Sequence, residues 1–88
     1  MEIKKSASAG TMESSDAYVE IEPCSDGIKI ETESVVYEQF GESIENAAKE
    51  VLKENGVSAV SLHIVDRGAL ECVLKARIET AIRRSAEE

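Results

Sequence analysis

The sequence predicts an α+β fold: a small single domain of order β-β-α-β-α, in which a three-stranded sheet carries two helices on one face and a mobile N-terminal segment precedes it. Three observations predict it. Apolar residues alternate with polar ones around Val19, Ile28 and Leu62, the period-2 signature of half-buried strands. Two further stretches, beginning near Val36 and near Leu70, repeat apolar residues at spacings of three and four. A chain of 88 residues buries only about 60–65% of the surface its unfolded form exposes, enough for one modest core.

Residues 1–16 are mostly small, polar or charged, with no sustained period, and are expected to be mobile, although Glu2 to Lys5 can extend a sheet edge. Residues 17–88 make up the folded domain. Within it Tyr18, Val19, Glu20, Ile21 and Glu22 alternate, as do Ile28, Lys29, Ile30 and Glu31. Asp26-Gly27 between them supplies the positive φ of a tight turn, so the two runs are expected to form a β-hairpin. Ser34 is placed to cap a helix whose stripe is Val36, Phe40, Ile44, Ala47, Ala48, Val51 and Leu52, and Asn55-Gly56 ends it. Val57 to Val65 reads as a strand with Val60, Leu62 and Ile64 on one face, broken by Asp66-Arg67-Gly68. Leu70, Val73, Leu74, Ile78, Ala81 and Ile82 then mark a second helix, whose Arg83 and Arg84 suit the negative end of its dipole.

The net charge of −8 opposes binding to nucleic acid and to anionic membranes, both of which need cationic side chains against phosphate. Basic partner surfaces are favoured instead. Cys24 and Cys72 are far apart, and with the single histidine, His63, they supply no metal site. Cys72, beside Val73 and Leu74, is expected to be partly buried, and Cys24 to be exposed in the turn. No apolar run of signal-peptide or membrane-spanning length is present, so the expected location is the cytoplasm, with reduced thiols.

Nucleophilic catalysis needs a serine or cysteine beside an oriented base. His63 lies mid-strand on the face away from the aliphatic stripe and reads as a solvated or structural histidine. The five glycines are scattered and form no phosphate loop. The chain is therefore not expected to be an enzyme on its own. A carrier needs only one exposed nucleophilic side chain on a protruding segment. A serine hydroxyl suits a phosphodiester link, and the cofactor's own thiol then holds the cargo. Residues alone leave Ser6, Ser8, Ser14 and Ser15 as equal candidates, beside the reading of an ordinary flexible tail.

Gly10-Thr11-Met12-Glu13-Ser14-Ser15-Asp16 and Asp66-Arg67-Gly68-Ala69-Leu70-Glu71-Cys72 resemble segments of the acyl carrier subunits of citrate lyase, and Glu38-Gln39-Phe40-Gly41 resembles the first helix of that family. The three segments occur in the family's order and span nearly the whole chain. The chain stops at Glu88, where some members continue. The resemblance implies that Ser14 is the attachment residue, covalently bound to phosphoribosyl-dephospho-coenzyme A. It further implies a thiol that carries acetyl or citryl between a transferase (alpha) and a lyase (beta) subunit, as citrate is split to acetate and oxaloacetate. A prosthetic-group transferase is then a further partner. The alternatives are the carrier subunit of malonate decarboxylase, with malonyl as cargo, and a non-catalytic acidic interaction domain.

Overall fold

The computed structural model describes residues 2–35 and 37–86, with the helical backbone alone for residues 37–40. Its elements are β1 (Ala7–Gly10), β2 (Ala17–Glu22), β3 (Ile28–Ser34), α1 (Tyr37–Glu54), β4 (Val60–Asp66) and α2 (Glu71–Ala86). The sheet order is β1-β2-β4-β3. β1 pairs with β2 and β2 with β4 in antiparallel fashion, while β3 runs parallel to β4 and reaches it through α1.

The expected three-stranded sheet thus has four strands. The fourth, β1, lies inside the segment 1–16 that the sequence marks as mobile. Ala7 and Ala9 face the core, and their methyl groups are too small to register as a hydrophobic stripe. That segment makes two further attachments. Ile3 is buried, and the Lys4 and Lys5 amides donate to the Ser85 carbonyl at the end of α2.

The expected hairpin between residues 18–22 and 28–31 does not form, because β4 lies between β2 and β3. Burial explains the placement. Val60, Leu62 and Ile64 on β4 are almost fully buried, as central-strand side chains are. β3 presents Ile28, Ile30, Thr32 and Ser34 on the same face, and its Ile28 is 44% exposed, so it is suited to the edge.

Ala17, Val19 and Ile21 of β2, the β4 stripe, and Ile44, Ala47, Ala48, Val51 and Leu52 of α1 share one core cluster with Leu74, Ile78, Ala81 and Ile82 of α2. The expected helix residues Val36 and Phe40 lie outside the described side chains. Ser34, expected to cap the helix, closes β3 and donates its hydroxyl to Asp66 Oδ2 at 2.8 Å. α1 ends as its sequence predicts: Gly56 has φ 67°, its amide donates to the Lys53 carbonyl, and the Val57 amide donates to the Leu52 carbonyl.

The other sheet face carries Glu20, Glu22, Lys29, Glu31 and Glu33 around half-exposed His63, whose Nε2 is 3.4 Å from Glu33 Oε2. Among the described residues no helix is long and apolar enough to cross a membrane.

Candidate functional site: the Thr11–Asp16 loop

β1 and β2 form a hairpin, and its connection is the Ser14 segment. Gly10 enters the loop at φ 94°, a conformation that L side chains rarely adopt. A Cβ there would stand 1.8 Å from the Ala17 carbonyl oxygen, so the close approach of the two strands requires glycine. Ser15 also has positive φ, 67°, in a loop that reverses between antiparallel strands.

Asp16 fastens the far side of the loop. Its carboxylate accepts from Arg77 Nε and Nη2, from the Thr11 hydroxyl at 2.7 Å and from the Ala17 amide at 2.7 Å. The Arg77 guanidinium first, then Thr11 and the Ala17 amide, hold the Asp16 carboxyl far below the usual carboxylate range. Thr11 Oγ1 in turn accepts from the Glu13 amide. Sequence reading attaches no role to Arg77, because it stands 61 residues from Asp16 and only the packing of α2 against β1 and β2 brings the two together.

The second motif meets the first through the backbone. The Arg67 amide donates to the Asp16 carbonyl at 2.9 Å, and the Ser15 amide donates to the Arg67 carbonyl at 2.8 Å. Asp66, 3% exposed, closes the end of β4 and orders the turn that follows: its carboxylate accepts from the Ala69 amide and the Ser34 hydroxyl. Gly68 has φ 89° and open space around it, consistent with a turn between strand and helix.

Between these fixed points Thr11, Met12, Glu13, Ser14 and Ser15 are exposed. Ser14 stands clear of the core cluster. The loop is tied at its feet and open at its apex, where Ser14 is exposed.

Two expectations about α2 need correction. Leu70 is 71% exposed because α2 begins at Glu71, one residue later. Cys72 is exposed rather than partly buried, since it falls about 200° around the helix from Leu74, on the side away from the buried stripe. Cys24 is half-buried. Among the described residues no group of His, Cys, Asp and Glu is placed to hold a metal ion.

Comparison with known proteins places these features in a family. The family model described as the malonate decarboxylase delta subunit (MdcD) matches residues 4–85. The citrate lyase acyl carrier protein of Escherichia fergusonii is 53% identical over 89 aligned positions, covering all of this chain and 92% of that protein. That of Clostridium perfringens is also 53% identical, over 99% of this chain and 87% of its own length. In fold, the chain is similar to one in the crystal structure of a Pseudomonas malonate decarboxylase hetero-tetramer in complex with malonate, with TM-score 0.73 and 21% identity over 96% of this chain and 87% of that one. A tethered apex on a small acidic domain, and identity of this extent over the whole chain, lead to one conclusion: the chain belongs to the citrate lyase acyl carrier protein family.

Proposed function

We propose that Ser14 bears phosphoribosyl-dephospho-coenzyme A through a phosphodiester, and that the chain carries acyl groups between the transferase (alpha) and lyase (beta) subunits of citrate lyase in the cytoplasm. The observation that carries this reading is the exposed Ser14 at the apex of a loop whose feet are tied by Asp16, Arg77 and Arg67. When bound, the group supplies a thiol that holds acetyl or citryl as a thioester.

The residues present fit such a group. An exposed serine accepts the link without disturbing the core. The carboxylate at the foot of the loop, Asp16, is paired with Arg77 and so repels a phosphodiester little. The arm-bearing part of segment 1–16 is then its last third, Thr11–Asp16, and the body is residues 17–88 with β1 added to its sheet. The chain supplies no acid or base to the reaction and leaves the chemistry to its partners. An attaching enzyme must reach Ser14 before any of this begins.

Intact mass spectrometry tests the proposal on protein made together with the cofactor-synthesis and attaching enzymes. Wild type and Ser15→Ala gain the mass of the group, and Ser14→Ala does not. Ser14→Ala folds normally but supports no citrate cleavage in the reconstituted complex. Modification of Ser14→Ala, with Ser15→Ala unmodified, would move the site by one residue. No modification of any form would leave an acidic interaction domain.

A second reading is favoured by the family match and the structural neighbour, both of which bear the name of malonate decarboxylase. In that reading the arm carries malonyl. Loading the modified chain with either transferase subunit and comparing the acyl groups accepted separates the two.

A further inference from the structure

We propose that the end of the domain around Ser14 is a docking face for the acyl-processing catalytic subunit that receives the arm, and that Met12, Val35 and Leu70, grouped around Arg67, form its apolar rim. This rests on the reading of Ser14 as the arm's root.

Among the described residues Met12, Ile28, Val35 and Leu70 are the exposed large hydrophobics, at 50%, 44%, 67% and 71% exposure. Their distribution is uneven. Met12 lies in the Ser14 loop. The Val35 amide donates to the Asp66 carbonyl, and Leu70 follows the Asp66-Arg67-Gly68 turn. Three of the four therefore surround the end of β4 where Arg67 binds the loop. Ile28 pairs with Val60 at the opposite end of the same strand.

Beside Leu70 a groove of about 140 Å³ opens between the helices, lined by Ile44, Ala69 and Leu74 with Ser43 and Glu71 at its edge. It offers an apolar partner side chain a place to seat. On a chain of net charge −8, exposed apolar area gathered at one end marks that end as different from the rest of the surface. Arg67 is exposed, and its side chain forms no ion pair among the described residues.

The occupant follows from position. A partner that takes up an arm rooted at Ser14 approaches the end of the domain on which this rim lies. Its matching surface is an apolar border at the mouth of its thioester site, with a carboxylate opposite Arg67. Buried apolar anchors provide the affinity and the charge pair provides orientation.

The test measures dissociation constants of the unloaded and the loaded chain for the purified transferase and lyase subunits, by surface plasmon resonance, with loading checked by intact mass. Met12→Ser/Leu70→Ser and Arg67→Glu weaken binding about tenfold or more to at least one subunit, loaded or not. Ile28→Ser at the far end leaves it unchanged. Thermal unfolding of all variants stays near wild type, because each residue is exposed. Unchanged affinity for both subunits overturns the proposal, and so does a loss confined to Ile28→Ser. If the rim variants keep their affinities but are no longer loaded, the rim serves the attaching enzyme and the proposal also fails. An unloaded wild-type chain would instead remove the Ser14 reading, while the affinities of the unloaded variants still decide the rim.

Discussion

Arg77, on the second turn of α2, places Nε and Nη2 each 3.0 Å from the two carboxylate oxygens of Asp16 at the foot of the Ser14 loop. The pair is two-pronged, which fixes orientation as well as charge. It joins the helix that covers the sheet to the loop that projects from it.

The pair makes stability depend on acidity. The folded Asp16 carboxyl titrates well below its ordinary range, with Arg77 the principal cause. A carboxyl whose folded value is depressed stabilises the fold above its unfolded value, about 3.9, and loses that stabilisation as pH falls toward the folded value. Asp16→Asn is therefore less stable than wild type at pH 7, and the gap narrows below about pH 4. Urea midpoints of both proteins between pH 7 and pH 2.5 check this; a gap that is constant across the range would refute it.

Gly10→Ala tests the hairpin entry. The forced positive φ costs on the order of 1–3 kcal/mol, and the approach to the Ala17 carbonyl adds to it. Gly68→Ala meets strain alone, as nothing lies within 4 Å of its added Cβ. Chemical denaturation of the two variants should rank Gly10→Ala as the more destabilised, with its loop amide resonances displaced the further.

Leu62 and His63 are neighbours on opposite faces of β4. Leu62→Ala removes a side chain that is 1% exposed and costs about 2–5 kcal/mol. His63→Ala removes a half-exposed ring and costs about 0.5 kcal/mol or less. Guanidinium unfolding distinguishes them; comparable losses would mean that the open face is covered.

Asp66→Ala removes the acceptor of the Ala69 amide and of the Ser34 hydroxyl, two part-buried hydrogen bonds. The cost is about 1–3 kcal/mol. Hydrogen exchange should quicken at Ala69 before it does in the middle of β4, because the turn after the strand loses its tie first.

Much of this was legible residue by residue. The periods around Val19, Ile28 and Leu62, and the spacing from Ile44 to Leu52, locate β2, β3, β4 and α1, since local pattern controls which face of an element is apolar. Asn55-Gly56 marks the end of α1 by backbone geometry alone. β1 escaped notice because Ala7 and Ala9 carry too little apolar surface to stand out. The Asp26-Gly27 turn suggested a hairpin because the sequence around it is compatible with one. The competing pair, β2 with β4, joins residues about 40 to 50 positions apart, and no local signal reports it.

The sequence by itself located β2, β3, β4 and the two helices, and the motif around Ser14 that relates the chain to its family. Only the tertiary structure decided that β4 takes the centre of the sheet, that Arg77 and Arg67 secure the loop, and that Met12, Val35 and Leu70 gather at one end. The reason is one of range. Periodicity acts over a few residues, whereas strand order and the partners of a carboxylate are chosen by the burial of the whole chain at once.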